Sequence, residues 1–491
     1  MPARPIGSWL LVIATSLAGC HLEPPARADD VETHARAPEL TEFECGDDLP
    51  ARARCGDLAR SEDPDAPAGR TLALRWIVLP ATDAAARVPD PVFVLAGGPG
   101  QAATQLLILA DTQLAGVNAT RDIVFVDQRG TGASNGLRCL SPELGDMLVG
   151  ITDPSQRATL DACRAKWDAD LGRYNTTLAM ADLDALREAL GYGQINLWGV
   201  SYGTRAALEY LRRHEASVRS ALLWGVVAPG TNFLGEFAAA TERAYAATMA
   251  DCAREPACRA RVPEGAALLE TLAARLEAAP ATVEVVDERS GQLVDVHLDR
   301  DLFVNSVRLV LYDAGWAAAL PAMLAQARDG DYTALMTFAS RFAIAVYAQI
   351  YNGMYLAVVC SEDVPFLTAA ERERAASSVF GDAILTELTE ACAGWPRAAL
   401  PADWSEPVRA DVPVLLMNGA VDPATPLSAA EAVARTLSDA RVVGFANVAH
   451  GTSNATACVN ATVRAFLDRP EPADLDVGCA AETKRPPWLL E

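Results

Sequence analysis

The chain has 491 residues, of which 64 are acidic and 41 basic, for a formal charge of −23. That balance argues against a nucleic-acid partner, since phosphate contacts need clustered positive charge and no basic run is present. Length alone suggests about three domains, but the order of elements points instead to one core interrupted by one insertion.

Residues 1–20 read as an export signal. Arg4 precedes an apolar run from Trp9 to Ile13, and Leu17-Ala18-Gly19-Cys20 follows. The apolar run is too short to span a bilayer permanently. Its Leu-Ala-Gly-Cys ending resembles a bacterial lipobox, which implies that Cys20 carries lipid at a new N-terminus. The protein would then be anchored to a bacterial membrane, facing the periplasm or the exterior. The alternative is an ordinary signal cleaved nearby, with Cys20 incidental. Residues 21–40, rich in Pro, Ala, Asp and Glu without apolar periodicity, read as a flexible tether.

Of the 11 cysteines, those other than Cys20 are even in number, which in an exported chain suggests disulfides rather than metal. No histidine cluster accompanies them, so neither a metal nor another cofactor is expected. Short loops close most readily. The simplest pairing is therefore sequential: 45–55, 139–163, 252–258, 360–392 and 458–479.

From Thr71 to Gly230 strand-like and helix-like runs alternate. The strands are Leu72–Leu79, Val92–Ala96, Ile123–Val126, Ile195–Val200 and Ser220–Trp224, with helices at Ala181–Leu190 and Arg205–Arg213. This pattern predicts a mostly parallel sheet covered by helices on both faces. The second strand runs into Gly97-Gly98-Pro99-Gly100, where glycines permit close backbone approach to a ligand. Pro99 has no N–H to offer, so Gly98 is the candidate donor in this loop; a plain Gly-Pro turn is the alternative. Asp127-Gln-Arg-Gly-Thr-Gly follows the next strand but lacks the lysine of a phosphate loop, and reads as a structural turn.

Gln194–Arg205 carries the strongest local signal, Gly199-Val200-Ser201-Tyr202-Gly203 between an apolar strand and a helix. A sharp strand-to-helix turn holds such a serine in a strained conformation at the sheet's carboxyl edge. Glycines two residues to either side avoid collision with the neighbouring strand and helix. The N–H of Tyr202 is then a donor for an oxyanion forming on a group that Ser201 attacks.

Between Gly230 and about Trp404 the periodicity turns helical, with alanine-rich runs at Phe237–Ala250 and Ala266–Glu277 and a hairpin-like stretch at Val283–Leu298. Here Tyr355-Leu-Ala-Val-Val-Cys360-Ser-Glu362-Asp363 ends an apolar run in two acids beside an expected disulfide. Glu362, then Asp363, then Glu236 are candidates to hold a substrate ammonium. The alternative for the pair is a solvated helix start.

A serine nucleophile needs a base and an orienting carboxylate. Of five histidines, His21 and His34 lie in the polar N-terminal segment. His214 ends a helix among Arg212, Arg213 and Glu215, and His297 sits on one side of an ordinary strand. His450 remains, in a loop after the apolar run at 442–445. The strand-like Val412–Asn418 leads to Asp422 in a Gly/Pro-rich loop. Asp422 is a candidate carboxylate or, alternatively, a cap of the helix predicted at Ala429–Leu437, for which Thr425 and Ser428 are better placed. The order Ser201, Asp422, His450 is that of α/β-hydrolases.

Five segments together, Gly97–Gly100, Asp127–Ser134, Gly199–Thr204, Asn418–Pro426 and His450–Thr452, resemble the prolyl iminopeptidase and tripeptidyl aminopeptidase family of α/β-hydrolase serine exopeptidases. The resemblance spans about residues 70–480. It implies Ser201 as nucleophile, Asp422 and His450 as its partners, and Gly98 with Tyr202 as oxyanion donors. Two features depart from the family: Ala96 stands where histidine often opens the glycine loop, and the Gly-Gly-Glu segment of the smaller prolyl enzymes is missing. The C-terminal half looks more like the tripeptidyl branch. The expected fold is thus an α/β-hydrolase core at 41–230 and 405–491, interrupted by a mainly helical cap at 231–404. The expected substrate is a peptide with a free N-terminus. A carboxylic-ester hydrolase with the same triad is the nearest alternative, and a non-catalytic surface binding protein a more distant one.

Overall fold

The computed structural model describes residues 39–139 and 154–491. The expected signal, most of the tether and Cys20 lie outside them. Strands β1 (Leu40–Phe43), β2 (Arg54–Ser61), β3 (Thr71–Leu79), β4 (Val92–Leu95), β5 (Ile123–Val126), β6 (Ile195–Val200) and β7 (Val218–Trp224) come first. The hairpin β8 (Ala281–Asp287) and β9 (Gln292–Leu298) follows, then β10 (Val414–Gly419) and β11 (Ala440–Phe445). All but the hairpin form one nine-stranded sheet in the order β1-β2-β3-β5-β4-β6-β7-β10-β11. Pairing is antiparallel from β1 through the β3–β5 contact and parallel from β5–β4 to β10–β11.

The parallel strands are apolar on both sides because both faces are covered. Every residue of Val92–Leu95 and Ile123–Val126 is buried. Alternate residues serve opposite cores. Leu197, Leu223 and Leu416 pack toward α2 (Thr176–Ala189) and α3 (Tyr202–His214), whereas Trp198, Leu222 and Leu415 pack toward α8 (Thr456–Asp468). Other helices used below are α1 (Pro154–Arg164), α4 (Phe233–Arg254), α5 (Arg300–Val310), α6 (Asn352–Glu362) and α7 (Leu427–Ala434).

Helix starts are where local sequence misled. The second helix begins at Thr176, five residues before the expected Ala181, because the Asn175 side chain accepts the Leu178 N–H and caps it. The third starts directly after Ser201. The seventh is capped by neither Thr425 nor Ser428; its N-cap is Pro426, and the Thr425 side chain is engaged elsewhere.

Residues 231–404 contribute α4, α5, α6 and the β8–β9 hairpin, and their apolar side chains continue the core that covers α3. Disulfides join Cys45–Cys55, Cys139–Cys163, Cys252–Cys258, Cys360–Cys392 and Cys458–Cys479, the sequential pairs expected. The Cys360–Cys392 bond fixes α6, and Cys139–Cys163 ties α1 to the segment leaving the Asp127 turn.

Gly203 sets how closely α3 approaches β4. A Cβ there would lie 2.1 Å from the Leu95 carbonyl oxygen and 2.8 Å from that of Ala96, both backbone atoms. Gly→Ala inside a helix ordinarily stabilises by roughly 0.5–1 kcal/mol. Gly203→Ala is expected to do the reverse, at a cost of about 1–3 kcal/mol from overpacking. Denaturant unfolding checks it, and a variant as stable as the parent would contradict the close approach.

Candidate active site

Where β6 ends, Ser201 adopts φ 55° and ψ −125°. The other non-glycine residues at positive φ among those described are Asn135 and Asn447, a residue type that tolerates it. Such strain costs roughly 1–3 kcal/mol and persists only where the surroundings hold it. The Ser201 N–H donates to the Trp224 carbonyl at 2.8 Å, which pins the turn to β7. The Thr204 hydroxyl donates to the Ser201 carbonyl at 2.6 Å and accepts the Val227 N–H, locking the first turn of α3.

The glycine loop after β4 closes over this turn. A Cβ on Gly97 would stand 3.2 Å from that of Ser201, so only glycine fits comfortably. Neither the Gly98 nor the Tyr202 N–H has a protein acceptor among the described residues. From the segment before α6, the Tyr351 N–H donates to the Gly100 carbonyl, and Gln101 Nε2 donates to Gln349 Oε1, each at 2.8 Å. The Asp127 turn packs nearby as a structural element. Asp127 accepts the Thr104 N–H and hydroxyl, and buried Arg129 pairs with Asp182 at 2.7 Å.

Asp422 and His450 lie in the loops after β10 and β11. The Asp422 side chain is fully buried and that of His450 is 15% exposed, with Nδ1 2.8 Å from Oδ2. With the carboxylate ionised, Nδ1 carries the proton and donates. Asp422 Oδ1 accepts the N–H groups of Ala424 and Thr425, and the Thr425 hydroxyl donates to Oδ2 at 2.7 Å while lying 3.2 Å from Nδ1. Burial disfavours the imidazolium, but the charge and hydrogen bond of Asp422 outweigh it and hold the His450 pKa above its usual value. A Cβ on Gly225, next to the residue that pins Ser201, would be 3.0 Å from His450 Cε1, so the imidazole sits beside the serine turn. Among the described contacts no hydrogen bond joins His450 to Ser201; such bonds commonly tighten only with substrate bound.

Several contributors were invisible in the sequence. Trp224 Nε1 donates to the His450 carbonyl at 2.8 Å, and the Tyr312 ring meets the imidazole edge-on at 5.3 Å. The Tyr312 carbonyl accepts the Gly451 N–H, and Asp313 accepts from the Ser453 hydroxyl at 2.6 Å. Thus the segment after α5 clamps the His450 loop. Only the polar type of Thr425 and Asp313 hinted at a role, because each contact joins residues far apart in the chain or across a turn.

The two acids ending α6 do not face a substrate ammonium, which corrects the expectation for them. Both side chains are fully buried beneath the serine turn. Asp363 receives Arg205 Nη1 and Nη2 at 3.0 and 2.8 Å. Glu362 receives the Thr176 N–H and hydroxyl, each at 2.7 Å, and that hydroxyl also meets the Tyr202 phenol. They brace the base of α3 instead. Glu236 is partly exposed and pairs with Arg374 at 3.8 Å.

Burial pushes the Glu362 pKa up from 4.5 to about 8, against the opposing pull of Arg205 and Thr176. The folded chain therefore keeps a proton that the unfolded chain releases above pH 4.5, and this contribution to stability falls as pH rises from 4.5 to about 8. The slope is at most about 1.4 kcal/mol per pH unit. Glu362→Gln, which can still accept from the Thr176 N–H, is expected to flatten the fall relative to the parent. Unfolding titrations with disulfides intact check it, and identical slopes would contradict a proton held there.

Residues 377–479 match the TAP-like protein family. Serine protease Hip1 of Mycobacterium tuberculosis is 29% identical over 283 residues, covering 52% of this chain and 53% of that protein. Carboxylesterase B of the same species is 26% identical over 288 residues, covering 52% and 55%. A probable proline iminopeptidase of Streptomyces coelicolor is 32% identical over 142 residues, covering 29% and 34%. The chain spans about half the length of the curated relatives it matches first. The mostly parallel sheet and the serine turn at the end of β6 give the chain an α/β-hydrolase fold, and its residues 377–479 are similar to the TAP-like protein family.

Proposed function

We propose that the chain is a serine exopeptidase that removes residues or short peptides from the free N-terminus of peptides, through an acyl-enzyme on Ser201. The observation that carries this reading is the 2.8 Å His450–Asp422 contact beside a serine held at φ 55°. His450 Nε2 takes the Ser201 proton as Oγ bonds to the scissile carbonyl carbon. The N–H groups of Gly98 and Tyr202 receive the oxyanion. The C–N bond then breaks as the imidazolium returns its proton to the leaving amine. Water, deprotonated by the same imidazole, releases the acyl group. Asp422 stabilises the imidazolium in both halves, in keeping with the raised His450 pKa. The names of the Hip1 serine protease and the proline iminopeptidase support peptides as substrates.

A core at 41–230 and 405–491 with a cap at 231–404 is part of this reading. So are export and a lipid anchor at Cys20: five disulfides fit an oxidising compartment, and no helix of the described residues is long and apolar enough to cross a membrane. With Glu362 and Asp363 occupied, Glu236 is the remaining candidate partner for the substrate ammonium. A second reading, carboxylic-ester hydrolysis, is favoured by the carboxylesterase relative.

The two readings separate on the α-amine. An ammonium in a partly enclosed site needs a carboxylate, because leaving a charge unpaired there costs several kcal/mol. Fluorogenic peptides with free N-termini are expected to be cleaved about 10- to 150-fold better than their acetylated counterparts, the worth of one charge-assisted contact. Equal rates on free and blocked peptides would sink the exopeptidase reading and promote the esterase.

A further inference from the structure

Arg308, near the end of α5, is buried, with a relative exposure of 6%, yet no carboxylate among the described residues pairs with it. Its Nε and Nη2 donate to Asn305 Oδ1 at 3.0 and 2.8 Å, Nη1 donates to the Tyr312 hydroxyl at 2.7 Å, and Nη2 donates to the Tyr347 hydroxyl at 3.2 Å. All of these acceptors are neutral. Other buried arginines in this chain are neutralised: Arg129 by Asp182, Arg205 by Asp363. Arg308 also borders a cavity lined by Leu234, Phe237, Val304 and Phe380. The one acid lining that cavity, Asp301, is held by Arg300 at 2.6 Å. A buried guanidinium without a counter-charge is costly, and proteins keep one where an anionic ligand completes it.

The two phenols place this charge at the reacting centre. The Tyr312 ring touches His450 at 5.3 Å. Tyr347 opens the segment through Ile350 and Tyr351 that bonds to Gly100 and Gln101 of the oxyanion loop. Each hydroxyl, having accepted from Arg308, keeps its own O–H, and no protein acceptor takes it among the described residues. The cluster therefore offers one positive charge and two polarised O–H donors, one on a ring that meets the base and one on the segment that binds the Gly97–Gly100 loop.

We propose that Arg308, Tyr312 and Tyr347 form a subsite for a carboxylate on the leaving side of the scissile bond. The inference rests on the serine-hydrolase reading for its sidedness: His450 hands its proton to the leaving group, and the cluster abuts His450. The guanidinium carbon lies 5.3 Å from the Tyr312 ring centre, which is itself 5.3 Å from that of His450. At about 3.3–3.6 Å per extended residue, the subsite is within reach of a C-terminal carboxylate no more than about three residues past the cleaved bond. The preferred substrates are accordingly short peptides whose own C-terminal carboxylate seats on Arg308, rather than long chains or proteins.

The test uses p-nitrophenyl acetate turnover as reporter and two inhibitors differing only in charge, N-acetylalanine and N-acetylalaninamide. With the parent protein the acid is expected to inhibit at least 10-fold more strongly than the amide. Arg308→Gln should reduce that ratio about 10-fold or more, as loss of one charge-assisted contact does, and Tyr347→Phe should reduce it less. Equal inhibition of the parent by acid and amide overturns the proposal. So does an unchanged ratio in Arg308→Gln, even where both inhibitors weaken together, as a merely structural role would have it. If Arg308→Gln does not fold, Tyr347→Phe decides: a lowered ratio supports the subsite and the parental ratio overturns it. Tetra-alanine and its C-terminal amide, run alongside, keep the two readings apart. Failure to cleave either, with ester turnover intact, removes the peptidase function, while the acid-to-amide inhibition ratio still decides the subsite.

Discussion

The turn at Ser201 is the constraint around which the rest of the molecule is arranged. A serine at φ 55° is an unfavourable conformation that a free chain would abandon. It is held by the Trp224 carbonyl on one side and by the first turn of α3 on the other, and α3 approaches β4 closely at Gly203. The same approach brings the Gly97–Gly100 loop against the serine. Beneath it, Arg205, Asp363, Glu362 and Thr176 form a buried polar network that fills the space between α3, α2 and α6. Strain at one residue is thus maintained by three separate layers of packing.

The second requirement is orientation of an imidazole on a loop, where loops are ordinarily free to move. Asp422 alone fixes only one edge of the His450 ring. Thr425 fixes the carboxylate, Trp224 fixes the His450 backbone, and Tyr312 with Asp313, just after α5, press on the loop. Tyr312 also accepts from Arg308, so the ring that meets the imidazole belongs to the subsite proposed for the leaving side. Substrate selection and positioning of the base are then coupled through one tyrosine.

What the sequence made legible was local. Gly199-Val-Ser-Tyr-Gly203 lies within one strand-turn-helix, and its glycines answer to clashes within that unit. Asp422 and His450 came forward by elimination, as the titratable pair in loops after apolar strands. Sequential cysteine pairing was readable because short loops close readily. Thr425, Tyr312, Asp313 and Arg308 escaped because their significance lies in contacts with distant segments. Glu362 and Asp363 misled for an instructive reason. An apolar run ending in two acids looks the same whether the acids face a ligand or a buried arginine, and the partner, Arg205, lies more than 150 residues away.

The central claim is that Ser201 is the nucleophile, activated by His450. Mass spectrometric mapping after treatment with a fluorophosphonate measures this most directly. The account predicts a single adduct on the Ser201 hydroxyl, absent from Ser201→Ala and greatly slowed in His450→Ala. An adduct on another residue, or one of undiminished yield in Ser201→Ala, would contradict it.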